Sequence, residues 1–317
     1  MTYFILILSF VLLIKGADYF VEGASNIAQI LRISPMLVGL TIVAFGTSSP
    51  EAAVSIRAAM KGSNGISLGN VIGSNLFNIS LIIGITAIIR PLRVEEETVR
   101  KEIPFTLLSS ILLFILMMDV RLQSIDYNVL SRADGLVLLS FFMIFLYYIF
   151  EVARNSREKK EDAQEPVVIN TRKNIFYTVV GLVGIILGGE LVVRSSKMIA
   201  YDFGMSETLV GLTIVAVGTS LPEMITCVTA AVKKHTDIAV GNIIGSNIFN
   251  ILFVLGTSAV IAPIQVEEKI FADVLFMIGY TTILFIFSKT HHKINRIEGS
   301  GLLLSYIFYV MYIVMRK

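Results

Sequence analysis

The sequence predicts an all-α membrane protein: ten transmembrane helices in two inverted repeats of five, with one helix of each repeat broken near the centre. Three observations lead there. The 317 residues are 55% hydrophobic and 16% charged, with a mean hydropathy of +0.79, an apolar excess that a water-soluble core of this size does not require. The apolar residues fall into long continuous runs without the alternation of a barrel strand. The chain also repeats itself at a fixed offset of 172 positions, and such self-similarity marks a duplicated architecture.

Ten runs lie near residues 3–31, 36–60, 66–89, 103–118, 135–152, 176–200, 208–232, 238–261, 274–288 and 302–315. A helix needs roughly 20 such residues to cross the hydrocarbon core. The first run is expected to be a span and not a cleavable signal, because Met1-Thr2-Tyr3 carries no base and the apolar stretch exceeds an h-region. The most polar stretch, RNSREKKEDAQEPVVINTRK at 154–173, divides the chain. It gives a first repeat at 1–152, a linker at 153–173 and a second repeat at 174–317. Arg32, the group Arg90, Arg93, Arg100 and Lys101, the pair Lys233 and Lys234, and Lys289, Lys293 and Arg296 all fall on the linker's side of a ten-span arrangement. Loops rich in Lys and Arg stay in the cytoplasm, so the linker is expected inside and both termini outside a multi-pass cell-membrane protein.

The repeat gives those spans their arrangement. VGLTIVAFGTSSPE at 38–51 returns as VGLTIVAVGTSLPE at 210–223, and GNVIGSNLFNI at 69–79 as GNIIGSNIFNI at 241–251. The same offset pairs Gly16 with Gly188, Asp18 with Glu190, and Glu95-Glu96 with Glu267-Glu268. Five spans separate each residue from its partner, an odd number, so the second copy crosses in the opposite direction. Inverted repeats with helices interrupted by Gly and Pro at matching places are the mark of secondary transporters, whose ion site lies between the repeats near the bilayer midplane.

Glu51 and Glu223 lie in the middle of apolar spans, where an ionised carboxylate is costly unless compensated. Arg57 is near the first in sequence, but the position matching it after Glu223 is Thr229. A repeated intramembrane acid without a repeated base points to a cation. Pro50 and Pro222 lack the N–H of a helix interior and clash with the carbonyls of Gly46 and Gly218. The helices are therefore expected to break at 44–48 and 216–220. Broken backbone survives in a bilayer where it is buried in protein or lines a wet cavity, and its freed carbonyls, near Ala44 and Ala216, are candidate ligands. Ser74 and Asn78, like Ser246 and Asn250, are four apart and share a helix face. Asn70, Asn75, Asn242 and Asn247 can equally serve as interhelical hydrogen-bonding groups. The collected oxygens come from Glu51, Glu223, Asn78, Asn250, Thr47, Ser48, Ser74, Thr219, Ser220 and Ser246, with the carbonyls of Ala44 and Ala216. His235, His291 and His292 fall in loops, and the single Cys227 reads as a small buried side chain. An all-oxygen set with two carboxylates suits a hard cation such as calcium, which takes 6–8 oxygens, and disfavours zinc, copper and iron. One Ca2+ neutralises the pair, and Na+ ions can compete for the same oxygens.

On these motifs, G-T-S-x-P-E and G-N-x-x-G-S-N in two copies, the chain resembles the sodium/calcium exchangers of the cation/calcium antiporter superfamily in their compact prokaryotic form. The resemblance covers nearly the whole chain. It implies ten helices, Glu51 and Glu223 as shared Ca2+ and Na+ ligands, and Asn78 and Asn250 at the middle of the site. The Thr and Ser residues above would complete it with the Ala44 and Ala216 carbonyls. It also implies three Na+ exchanged for one Ca2+, and a sliding first helix in each half (3–31 and 176–200). Some relatives carry Asp where this chain has Asn250, so the resemblance speaks against potassium co-transport. Asp18 and Glu190, with Lys15, Glu22, Arg194 and Lys197 nearby, read as paired or snorkelling charges. No cofactor, nucleic acid or obligatory protein partner is expected beyond Ca2+, Na+ and lipid. Ca2+/H+ exchange uses the same buried acids. An intramembrane serine hydrolase would have to recruit Lys15 as base, since no His lies in a span, so no enzyme activity is expected.

Overall fold

The computed structural model describes residues 2–62, 64–122, 126–161, 170–203 and 216–316. Each apolar run carries helix. The first half contains α1 (Thr2–Leu31), then α2 (Pro35–Thr47) and α3 (Ser49–Met60), which form one broken span bent by 48°. It continues with α4 (Gly65–Ile89), α5 (Ile103–Leu116), entered through a π-helical turn at Thr98–Glu102, and α6 (Arg132–Glu161). The second half holds α7 (Thr171–Asp202), a turn at Ala216–Thr219, α8 (Leu221–Val232), α9 (Thr236–Ile261), α10 (Glu268–His291) and α11 (Arg296–Met315). Seven of these helices are individually long and apolar enough to span a membrane, and the bent α2–α3 pair makes an eighth span. The other two runs hold the shorter α5 and the described part of the seventh run.

Several helices outrun their apolar segments. α6 continues nine residues past 152, into the stretch that composition assigns to the linker, and α7 begins at Thr171, inside the other end of that stretch. Polarity ends a membrane span but not a helix, because Arg, Glu and Lys are good helix formers. The middle of the linker, 162–169, lies outside the described residues. α11 begins at Arg296, six residues before its apolar run, because Asn295 caps the Ile297 and Glu298 N–H groups while Glu298 returns a bond to the Asn295 N–H.

The two halves interlock. β1 (Leu92–Arg93), after α4, pairs antiparallel with β4 (Lys293–Ile294), before α11. β3 (Ile264–Gln265), after α9, pairs with β2 (Val129–Leu130), before α6. Each ribbon thus ties the end of one half's third run to the start of the other half's fifth, as a two-fold relation between halves requires. α9 is the hub: 94% of its apolar window is buried, against 17% for α11. α1 and α7 lie side by side along their whole length at the periphery. A Cβ added at Gly16 would sit 2.7 Å from the Ile185 nitrogen, and one at Gly188 2.7 Å from the Leu13 nitrogen. Glycine at these two related positions therefore sets the spacing of the pair. Their outer faces, with Phe4, Ile7 and Val11 on α1 and Phe176, Val180 and Val183 on α7, are exposed and form a lipid-facing surface.

Candidate functional site

The site starts at two interruptions. Helix α2 stops at Thr47, Ser48 leaves the helical region (φ −83, ψ 5), and α3 begins at Ser49 with Pro50 in its first turn. The second copy is superposable in its angles: Ser220 has φ −91 and ψ 6, and α8 begins at Leu221 with Pro222 in its first turn. Proline is tolerated there because first-turn N–H groups have no intrahelical acceptor. Each acid then occupies the first turn of its half-helix, where the positive end of the helix dipole favours negative charge. The breaks fall where the proline spacing places them. The Ala44 carbonyl, however, is not freed by the break: it accepts the Ser48 N–H at 3.0 Å and the Thr47 hydroxyl at 3.4 Å. The bend closes through a normal helical bond two residues before the proline, so the expectation of a carbonyl freed at Ala44 is corrected: it is engaged in the helix. Ala216 opens the described part of its run, whose preceding residues, 204–215, lie outside the described residues.

Both acids are fully buried, and each is held by the other repeat. Ser48 Oγ donates to Glu223 Oε1 at 2.8 Å, and Ser220 Oγ donates to Glu51 Oε1 at 3.0 Å. Each carboxylate is thus bonded to the serine three residues before the other carboxylate. Ser220 Oγ also lies 3.1 Å from Ser74 Oγ. Among the described residues no Lys or Arg pairs with either acid.

Asn78 and Asn250 sit inside π-helical stretches, Phe77–Ile82 and Phe249–Leu255, a local widening that recurs at functional sites. Asn78 Nδ2 donates to Asn247 Oδ1 at 3.1 Å, and Asn250 Nδ2 donates to Asn75 Oδ1 at 3.3 Å. A second layer supports the breaks. Thr47 Oγ1 donates to Asn242 Oδ1 at 3.0 Å, and Asn242 Nδ2 reaches Cys227 Sγ at 3.2 Å. Asn70 Nδ2 reaches Ser55 Oγ at 3.0 Å, and Ser55 and Cys227 are related by the same offset of 172. Cys227 is buried, as its apolar run suggests. Thr219 is buried beside its break.

Five oxygens of the expected ligand set are buried without a hydrogen-bond partner: Glu51 Oε2, Glu223 Oε2, Asn78 Oδ1, Asn250 Oδ1 and Ser246 Oγ. An unsatisfied buried polar atom is rare and needs an explanation. Two carboxylate and two amide oxygens, related in pairs by the repeat, form a buried set of acceptors that meets no donor among the described residues. Ser246 is the exception to the two-fold: its counterpart Ser74 is bonded to Ser220, whereas no bond joins Ser246 to Ser48. Sequence reasoning left Asn70, Asn75, Asn242 and Asn247 undecided. The matching offset was the available signal, since each pair recurs with its neighbour intact.

Asp18 pairs with a residue of another helix hairpin. Lys233 Nζ, just after α8, lies 2.6 Å from Asp18 Oδ1 and 3.7 Å from Glu22 Oε2 on α1, and donates to the Asp18 carbonyl at 2.9 Å. Ser25, one turn further, lies 3.4 Å from His235 Nδ1. Burial, then the Lys233 charge, holds the His235 pKa below its ordinary value. The equivalent of Lys233 in the first half is Lys61, which is exposed, and Glu190, the equivalent of Asp18, is exposed as well. Among the described residues no ion pair joins them.

Two interlocked halves around an all-oxygen acidic centre define a membrane cation antiporter of the inverted-repeat kind. The chain belongs to the sodium/calcium exchanger protein family, which it matches over residues 1–151 and 173–315. It is 40% identical to a protein of Alkalimonas amylolytica that carries the antiporter name CaxA, with 97% of each chain covered. It is 34% identical to the sodium/calcium exchanger MaX1 of Methanosarcina acetivorans, covering 98% of this chain and 97% of that one. Its fold is similar to that of the sodium-calcium exchanger NCX_Mj, with a TM-score of 0.84 and 31% identity over 98% of both chains.

Proposed function

We propose that this chain exchanges Ca2+ for Na+ at the Glu51/Glu223 centre by alternating access, three Na+ for one Ca2+. The observation that carries the reading is the set of buried, unpartnered oxygens on Glu51, Glu223, Asn78 and Asn250. The two carboxylates supply −2, one Ca2+ restores neutrality and three Na+ leave +1, so the cycle is electrogenic. Glu51 and Glu223 hold either ion, and the hydroxyls of Thr47, Ser48, Ser74, Thr219, Ser220 and Ser246 supply further oxygens. Asn250 adds no charge, so K+ is not required. The basic loops support a cytoplasmic linker with both termini outside. In proteoliposomes, Ca2+ uptake follows an outward Na+ gradient at equal pH and is accelerated by a potential that drives the net positive charge. Uptake that needs only a pH gradient instead assigns Ca2+/H+ exchange, and flux without any counter-ion assigns a channel.

Access alternates by sliding of α1 and α7 past the central helices, a movement supported by the glycine-lined, lipid-facing position of the pair. The Lys233 loop grips α1 at Asp18, Glu22 and Ser25, one helical stripe, and so holds the pair in the present conformation. Lys233→Ala releases it. The ion pair is partly exposed (side chains 26% and 39% accessible), and such pairs are worth about 0.2–1 kcal/mol. Amide exchange over 18–25 in nanodiscs is therefore expected to rise by up to about fivefold, with Ca2+ affinity unchanged. No change in exchange excludes the grip.

A further inference from the structure

We propose that Asn75 and Asn247 are positioning residues that fix which end of the Asn250 and Asn78 carboxamides faces the ion. The inference rests on the exchanger reading above and adds the determinant of ligand orientation. A carboxamide has one oxygen and one NH2 of nearly the same shape. Turned one way it offers a cation an acceptor. Turned the other way it presents two donors, which repel the ion and cannot bond to it. A buried Asn in a cation site therefore needs a second group to choose its orientation.

That group is present twice, in reciprocal positions. Asn250 Nδ2 is engaged by Asn75 Oδ1 and Asn78 Nδ2 by Asn247 Oδ1, and the oxygen at the far end of each amide, Asn250 Oδ1 and Asn78 Oδ1, is buried with no partner. Asn75 is itself oriented: its Nδ2 lies 3.4 Å from the Asn247 carbonyl and 3.7 Å from Met277 Sδ on α10, which leaves its oxygen for Asn250. All four residues are no more than 1% exposed, so water does not provide an alternative partner at the surface. Each orienting bond also crosses between repeats. The first half orients the amide ligand of the second half and the second half that of the first, so neither half completes its ligand set alone. Simple interhelical bonding does not require this polarity. Two helices would be joined equally well by amides whose oxygens were engaged and whose NH2 groups were left over.

The test uses a feature of carboxylates: both ends are oxygen, so they need no orienting partner. Equilibrium 45Ca2+ binding is measured on the full-length purified protein in nanodiscs for wild type, Asn75→Ala, Asn250→Asp and the Asn75→Ala/Asn250→Asp double variant. Asn75→Ala is expected to weaken Ca2+ binding by about fivefold, the scale of one lost hydrogen bond between neutral groups. In the Asn250→Asp background the same Asn75→Ala change is expected to cost less than about twofold. The mirror pair, Asn247→Ala alone and with Asn78→Asp, repeats the comparison if one single variant fails to fold. An equal loss in both backgrounds means that Asn75 acts only on packing, and unchanged binding in Asn75→Ala means that it does not orient Asn250; either result overturns the inference. Absence of Ca2+ binding in the wild type overturns the exchanger reading itself and is read independently of the variants.

Discussion

Glu51→Gln and Glu223→Gln are each expected to abolish Ca2+ exchange while leaving the protein folded. Glutamine keeps the shape of the side chain and an acceptor for the hydroxyl of Ser220 or Ser48, the bond that each acid makes across the repeats. The exchange therefore removes charge with little change in packing. A unit charge pair about 4 Å apart at an effective dielectric near 20 is worth on the order of 4 kcal/mol. Against a divalent ion one lost carboxylate thus costs at least about a thousandfold in affinity. The remaining −1 also leaves a bound Ca2+ with an uncompensated positive charge inside the membrane, which is itself unfavourable. Counter-flow of 45Ca2+ in proteoliposomes and monodisperse elution in detergent check the two halves of the statement. Glu96→Gln is the control. Glu96 forms an exposed i,i+4 pair with Arg100 and is expected to exchange at the wild-type rate. Transport surviving in Glu51→Gln would remove the paired-acid centre from the mechanism.

The legibility of this site in the sequence follows from which of its features are periodic. Burial of Glu51 and Glu223 is implied by their place in apolar runs, and the breaks at Ser48 and Ser220 by Pro50 and Pro222, since a missing N–H acts locally and at a known distance. The pairing of Ser48 with Glu223 and Ser220 with Glu51 is not local. It depends on how far each half crosses the other, which no spacing encodes. The π-helical stretches around Asn78 and Asn250 escaped for a different reason: four-residue spacing from Ser74 and Ser246 gives the correct face, and the added width arises from packing at the centre. Lys15 and Glu22 were the sequence neighbours of Asp18, yet Lys233 reaches it from a distant hairpin. Helix propensity carried α6 beyond the hydrophobic run that defined its end. The unbonded state of Ser246 and the one-sided Lys233–Asp18 pair both break the two-fold of the repeat, and a duplicated motif cannot announce where its copies differ in conformation.

Gly241→Val is expected to be strongly destabilising. Gly241 begins the Gly-Asn-x-x-Gly-Ser-Asn segment on α9, the most deeply buried of the long helices. A Cβ there would stand 2.5 Å from the Met36 carbonyl oxygen and 3.0 Å from both the Gly39 Cα and the Leu40 nitrogen. These neighbours are backbone atoms, so no rotamer change relieves the contact, and the helices must separate. Overpacking in a core costs about 1–3 kcal/mol where side chains can adjust, and with backbone on both sides the cost lies at the top of that range or above. Separation also moves α2 away from α9, which lengthens the Thr47–Asn242 bond beside the first break and displaces Asn247 and Asn250, six and nine residues further along. Stability and ion binding should therefore fall together, unlike the carboxylate variants, in which binding falls alone. Gly279→Val is the matched control, since nothing among the described residues lies within 4 Å of a Cβ at that position. Thermal unfolding of the purified proteins followed by size-exclusion chromatography separates the two outcomes. A Gly241→Val protein that melts with the wild type would show that α2 and α9 do not meet at this glycine.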